Sequence, residues 1–429
     1  MTEGAQAASQ LVPSRGRIIA IDIVRGFAIL WVILYHLWTD IKYPNVHPVP
    51  DYFSAVPDRI GEGAFPGMLT AVSDAFLRVG YLGVPLFMIL SGLSLTLVAL
   101  RRDMTVSESP RFLYQRFRRV MIPYWFGFAY TVAFAGALAF VQWQRHGGAP
   151  FADYYRHGDI SLASDQLVAG LLVVPRAFKS EWQFAPEGSL WFVIVLAQYY
   201  LLFPILLAAM KRVGPWLFLL AALAVTLVSL NLVVAYEGSL VDKQYLVETV
   251  APFRLFEFAL GMVAGYLMVE RPALLLEYTR APLDIGGMIV IGLLLFVGGC
   301  MIDPARGGGI VTFAPVLLAV GMGLVVLPLV VKLPGRLEVS SPGRVIAWVG
   351  VISYTVLIVN EPLRSITHTM RVEDAAMGWD VLWIGVLYMP ITLLAARPLA
   401  VFLGLVERDR GDAVPAPVAA TGEATSLQA

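Results

Sequence analysis

Long apolar runs separated by short polar stretches set the pattern of this chain. A window of about 19 residues finds ten runs that are long enough to cross a bilayer as helices. They lie near residues 17–38, 80–100, 120–142, 189–210, 214–235, 251–270, 283–301, 310–331, 346–366 and 379–403. The stretch 161–175 is apolar but short and contains Asp165, so we read it as a re-entrant or surface helix, with an eleventh span as the alternative. The pattern predicts an all-α polytopic membrane protein with about ten transmembrane helices.

The first apolar run is distinctive because it contains three ionisable residues. Asp22, Arg25 and His36 interrupt the run from Ile18 to Trp38. At about 100° per residue the three fall on one helix face, with Arg25 and His36 about 16 Å apart along the axis. Ionisable side chains at such depth are expensive and are usually kept for function. The spacing therefore predicts a polar stripe that runs from near one membrane surface towards the other.

Composition supports an integral membrane protein. Hydrophobic residues make up 58% of the chain and charged residues 14%, whereas soluble domains carry about 25% charged residues. The formal net charge is zero, which gives no indication of a nucleic-acid partner. Cys300 is the only cysteine, so an internal disulfide and a thiolate zinc site are both excluded, and the sequence shows no metal-ligand set.

Basic residues in the connections predict how the protein is oriented. Six arginines lie between Arg101 and Arg119, and further Lys and Arg residues recur in every second connection after that. Because positive charge is retained on the cytoplasmic side, both termini are predicted to be cytoplasmic in a bacterial inner membrane. Residues 1–14 and 406–429, poor in large apolar side chains, are predicted to be disordered tails on a membrane domain of residues 15–405.

Six motifs occur in an order that resembles one known family. The segment Asp22 to His36 reads DIVRGFAILWVILYH, and it is followed by GVPLFMILSG (83–92), RFRRVMIPYW (116–125), GSLWFVIVLAQYYLLFPIL (188–206), FRLFEFALGMVAGYL (253–267) and ISYTVLIVNEP (352–362). Together they resemble the membrane acyltransferase type 3 family, whose opening signature is an arginine and a histidine separated by ten residues. The resemblance implies transfer of an acyl group, often acetyl, from cytoplasmic acyl-CoA to a hydroxyl of an extracytoplasmic acceptor, most often a carbohydrate.

His36, Arg25 and Asp22 are the predicted catalytic residues. Imidazole is suited to removing a proton from a hydroxyl near neutral pH, which makes His36 the candidate general base. The Arg25 guanidinium offers paired donors to a phosphate or a thioester oxygen. Asp22 lies one helical turn away and is placed to pair with it. The structural alternatives are a histidine that bonds a neighbouring helix and a buried ion pair.

Donor and acceptor sites are predicted on later spans. Coenzyme A carries several phosphate charges, so Arg116, Arg118 and Arg119, with Tyr124 beside them, are the predicted donor-binding residues. Pro123 is read as the start of the third span. The candidate acceptor residues are Trp191, Gln198, Arg254 and Glu361. For the charged ones, pairing of Arg254 with Glu257 and of Glu361 with Arg364 is the structural alternative.

The chain departs from the family pattern at two places. Leu196 and Ala197 stand where commoner members carry a glutamate, and Asn360 stands where many carry a histidine. Roles assigned to those family residues therefore do not transfer to this chain. Two other functions stay open at this point: a proton-coupled transporter or flippase that uses the charged stripe as a path, and a noncatalytic partner in polysaccharide assembly.

Overall fold

All regular structure in the described part of the protein is helical. The computed structural model describes residues 18–42, 72–73, 75–102, 104, 109–146, 168, 170–173, 191–238, 240, 243–302, 308–332, 340–369 and 378–403. Within these ranges, nine helices are long and apolar enough to cross a membrane, and there are ten when the bent pair Ser341–Val351 and Ser353–Asn360 is counted as one span. The prediction of an all-α polytopic membrane protein is confirmed. The two predicted tails and most of the stretch 161–175 lie outside the described residues.

Thirteen α-helices in the described ranges are numbered here in chain order. They are α1 (Ile19–Lys42), α2 (Gly83–Arg101), α3 (Ser109–His146), α4 (Trp191–Val213), α5 (Pro215–Glu237), α6 (Gln244–Thr249), α7 (Leu255–Glu270), α8 (Pro272–Tyr278), α9 (Pro282–Cys300), α10 (Ala314–Lys332), α11 (Ser341–Val351), α12 (Ser353–Thr369) and α13 (Gly378–Phe402). Short 3-10 turns at Val79–Leu82, Ala251–Arg254 and Gly309–Phe313 lead into α2, α7 and α10.

The third span is longer than predicted. Helix α3 begins at Ser109 rather than near residue 120, and Pro123 lies inside it rather than at its start. A hydropathy window detects only the apolar part of a helix that contacts lipid. The helix itself also includes the polar first turns that carry the arginines. Arg116, Arg118 and Arg119 therefore project from a helix instead of belonging to a loop.

The ninth span, predicted to be continuous over 346–366, is broken. Helix α11 ends at Val351, α12 starts at Ser353, and the two axes meet at 67°. A hydropathy window averages over such a break because the residues on both sides remain apolar. The break leaves a helix start, with its unbonded amides, inside the membrane-spanning part of the protein.

Close backbone contacts hold the central helices together. A side chain on Gly261 of α7 would collide with the carbonyl oxygen of Ile89 on α2, and one on Gly92 would collide with that of Phe258. Small residues are the usual means of close packing where lipid removes the hydrophobic drive between helices. Large apolar side chains on α4, α9 and α13 stay exposed, as expected for surfaces that face lipid.

Candidate functional site

A cavity of about 430 Å³ lies between α1, α2, α3, α4 and the break between α11 and α12. Its wall is mixed, with apolar residues interspersed among charged and hydroxyl side chains. The polar and aromatic residues that line it include Asp22, Arg25, His36, Ser91, Ser94, Arg101, Arg116, Arg119, Trp191, Tyr200, Ser353 and Tyr354. Residues from five predicted motifs that are distant in the chain thus meet at one site.

Asp22, Arg25 and His36 of α1 all line this cavity. The His36 side chain is partly buried, and its ring lies 5.6 Å from that of Tyr35. Between Arg25 and His36 the helix contributes Ile29 and Val32 to the wall. The cavity therefore has an arginine end and a histidine end, about 16 Å apart along α1 and joined by an apolar middle.

Arg25 is held between α1 and α2 by two polar partners. Its Nη2 donates a 2.7 Å hydrogen bond to Ser94 Oγ. Its Nη1 lies 3.9 Å from Asp22 Oδ1, and the Asp22 side chain is only 9% exposed. The aspartate and the serine together fix the direction of a guanidinium that still reaches the cavity. Ser94 was not predicted as a site residue, although it lies one turn beyond Ser91, a residue of the second motif, on the same face of α2.

The predicted donor arginines separate into two groups. Arg116 and Arg119 line the cavity, whereas Arg118, which is exposed like Arg119, is not among the lining residues. The 100° step per residue explains this, because Arg116 and Arg119 differ by about 60° around α3 and Arg118 points to the opposite side. Arg101, at the end of α2, joins the lining and was noted in the sequence only as a topology signal.

Tyr124 is used for packing in this structure. Its side chain is fully buried, and its hydroxyl donates a 2.7 Å hydrogen bond to the Gly170 carbonyl oxygen. The neighbouring Trp125 Nε1 bonds the Leu171 carbonyl oxygen at 3.0 Å. Tyr124 is not among the lining residues, so it fastens the segment 170–173 to α3 beside the site.

Two of the predicted acceptor residues meet on the α4 side. Trp191 lines the cavity, and the Arg254 guanidinium carbon lies 5.3 Å from the centre of its ring. Arg254 Nη1 also bonds both carboxylate oxygens of Glu257, at 3.2 and 3.1 Å. The pairing of Arg254 with Glu257, given above as the structural alternative, thus forms, and Arg254 also contacts the tryptophan that faces the cavity.

Gln198 supports the backbone that carries Arg254. Its Nε2 donates to the Thr249 carbonyl oxygen at 2.7 Å, and its Oε1 accepts from the Ala251 amide at 3.1 Å. Glu361 lies in α12, but its side chain is outside the described residues. Leu196 lines the cavity at a position where family members often carry a glutamate. Asn360 is fully buried away from the cavity, and its Oδ1 accepts from the Tyr388 hydroxyl at 3.0 Å.

The fold and this site define a multi-pass membrane protein with a charged chamber between its helices. The chain belongs to the acyltransferase domain family, whose model matches residues 18–401, and it is a membrane acyltransferase. The predicted family is therefore confirmed. Comparison with curated proteins and with solved structures gave no match.

Proposed function

We propose that this protein transfers an acyl group, typically acetyl, from cytoplasmic acyl-CoA to a hydroxyl of an extracytoplasmic carbohydrate. The observation that carries the proposal is that arginines at one end and His36 at the other line the same cavity. Acyl-CoA suits that arrangement because its phosphates and its thioester lie far apart. The phosphates would bind the arginines, and the thioester carbon would lie near His36. By the distribution of Lys and Arg, the arginine end faces the cytoplasm of a bacterial inner membrane.

In the proposed reaction His36 acts as general base and Arg25 as donor clamp. The imidazole accepts the proton of the acceptor hydroxyl, and the hydroxyl oxygen attacks the thioester carbonyl carbon. The carbon–sulfur bond then breaks, and the thiolate leaves with the proton that His36 returns. Arg25 binds an anionic or carbonyl oxygen of the donor, and Asp22 together with Ser94 fixes its direction.

The acceptor is expected to approach at the histidine end. Trp191, supported by Arg254, presents an aromatic face in the cavity wall. Aromatic faces are common platforms for the apolar side of a sugar ring, which supports a carbohydrate acceptor. Gln198 acts indirectly, because its amide groups hold the turn that precedes Arg254.

The experiment uses purified protein in detergent or vesicles with acyl-labelled acyl-CoA. Cleavage of the thioester that depends on an added sugar acceptor, with label on the sugar, is the expected result. A proton-coupled transporter or flippase is the second candidate, because broken membrane helices such as α11 and α12 are typical of transporter binding sites. Movement of label across vesicles without thioester cleavage would support that function and contradict the proposed one.

A further inference from the structure

The break in the ninth span creates a helix start that opens onto the cavity. Gly350 and Val351 at the end of α11, and Ser353 and Tyr354 at the start of α12, all line the cavity wall. Backbone groups left unbonded inside a membrane protein are tolerated where a cavity, a ligand or the surrounding protein satisfies them.

Three backbone amides at this helix start have no carbonyl partner among the described residues. The first backbone bond of α12 runs from the Val356 amide to the Ile352 carbonyl oxygen, at 2.9 Å, and no backbone bond precedes it from Ser353, Tyr354 or Thr355. The Thr355 hydroxyl turns back to the same carbonyl at 2.7 Å. The start of α12 therefore presents N–H groups and the positive end of the helix dipole.

Ser353 adds a hydroxyl to these amides. The residue is nine-tenths buried, at 9% exposure, and it lines the cavity. In the described part of the chain, its hydroxyl has no hydrogen-bond partner. Ser94 lies across the same cavity and, by contrast, already accepts from Arg25. Buried polar atoms are normally hydrogen-bonded, so this hydroxyl is available to a polar atom of a ligand that enters the cavity.

The charges around this helix start select an anion. Gly350 packs against the backbone of Asp22 and Gly26, which places the break beside Arg25. Four arginines and one aspartate line the cavity, and that aspartate is paired with Arg25. Helix N-termini flanked by arginine side chains are well suited to phosphate groups.

We infer that the start of α12, through the Ser353 hydroxyl and the adjacent amides, binds a phosphoryl group of the acyl donor. The inference rests on the proposed function, because it takes acyl-CoA as the donor. The site holds the donor's charged end rather than its thioester, since Gly26 and His36 are about 15 Å apart along α1. The reacting carbonyl has to lie near His36, and the pantetheine arm separates that carbonyl from the phosphates.

The test compares three variants of Ser353 with a matched control. Ser353→Thr keeps the hydroxyl, Ser353→Ala removes it, and Ser353→Asp adds a negative charge that stabilises a helix start but repels phosphate. Thr355→Ser, in the same turn but outside the cavity lining, is the control. Affinities for coenzyme A, 3′-dephospho-coenzyme A, 4′-phosphopantetheine and pantetheine are measured by titration of the purified full-length protein, with thermal unfolding in parallel.

We expect Ser353→Ala to bind coenzyme A about tenfold more weakly and to bind pantetheine unchanged, because a hydrogen bond to a charged group is lost. Ser353→Asp should keep or raise the unfolding temperature and lose most of the affinity for the phosphorylated probes. Ser353→Thr and Thr355→Ser should bind within about twofold of the parent. The probe at which the Ser353→Ala effect disappears identifies the phosphate that is bound.

Two results overturn the inference while leaving the proposed function standing. The first is that the Ser353→Asp variant binds coenzyme A as well as the parent does. The other is an equal loss for pantetheine and coenzyme A in Ser353→Ala, which would assign the hydroxyl to the arm rather than to a phosphate. A folded parent with no affinity for coenzyme A would instead contradict the proposed donor, and the inference would fall with it.

Discussion

The Tyr354 hydroxyl donates a 2.9 Å hydrogen bond to the Val120 carbonyl oxygen and so ties the start of α12 to α3. Val120 directly follows Arg119, and both residues line the cavity with Tyr354. This bond fixes the spacing between the broken span and the arginine-bearing helix. The Tyr354 hydroxyl therefore helps to hold together the two walls that the donor is proposed to contact, beside the packing of Gly127 against Ile358.

Removal of that hydroxyl should affect donor binding more than folding. Tyr354→Phe is expected to lower the free energy of unfolding by about 1 kcal/mol and to raise the KM for acyl-CoA several-fold. Tyr388→Phe removes a comparable hydroxyl, bonded to Asn360 away from the cavity, and serves as the control. Thermal unfolding and steady-state kinetics measure the two effects. Equal KM values for acyl-CoA in the two variants would show that donor binding does not depend on the bond between Tyr354 and Val120.

His36 is predicted to be the residue on which turnover depends most. Loss of a general base typically costs about 10²–10⁴ in rate, so His36→Gln and His36→Ala should insert normally, bind acyl-CoA like the parent and lose acylation of the acceptor. Labelled acyl transfer and acyl-CoA titration measure both properties. Retention of more than about a tenth of parental turnover by His36→Gln would contradict the assignment, given that expected loss.

The geometry at Arg25 predicts that charge alone is insufficient there. Arg25→Lys keeps the charge but lacks the paired donors that reach Ser94 and a donor oxygen, so a rise in the KM for acyl-CoA is expected. Ser94→Ala should show the same change to a smaller degree, about 1 kcal/mol or roughly fivefold in affinity. A Lys variant with parental KM would mean that Arg25 acts only as a point charge.

The arginines of α3 offer an internal control on one helix. Arg116→Gln and Arg119→Gln should each weaken acyl-CoA binding, whereas Arg118→Gln should not, because only the first two line the cavity. All three substitutions remove the same charge from the same membrane surface, so insertion should be affected equally. If acyl-CoA binding fell to the same extent in all three variants, these arginines would serve only to orient the protein in the membrane.

Orientation is testable at two exposed tyrosines. In a Cys300→Ala background, Tyr236→Cys should react with an impermeant thiol reagent in intact cells, and Tyr278→Cys should react only after the membrane is opened. The two side chains are 85% and 62% exposed, and they lie at opposite membrane surfaces if the spans alternate. The reverse labelling pattern would place the arginine end outside the cytoplasm.

The sequence predicted the spans well because a bilayer demands about 20 apolar residues per crossing. It also predicted that Asp22, Arg25 and His36 share a helix face, because helical periodicity is local. It could not predict the contact of Arg254 with Trp191, since these residues lie on different helices and no local pattern joins them. The bend at Ile352 was not predicted for a similar reason. Its neighbours are apolar on both sides, and hydropathy contains no information on the direction of the helix axis.

The contact between α1 and α11 limits how this chamber can open. A side chain on Gly350 would collide with the Asp22 carbonyl oxygen, and one on Gly26 would collide with that of Ile346. Backbones in such contact cannot roll or slide past each other without a clash, so α1 and α11 have to move as one rigid body. Any helix movement that admits an acceptor or releases a product therefore involves the other walls of the cavity, α2, α3, α4 and α12, while α1 and α11 stay in fixed contact.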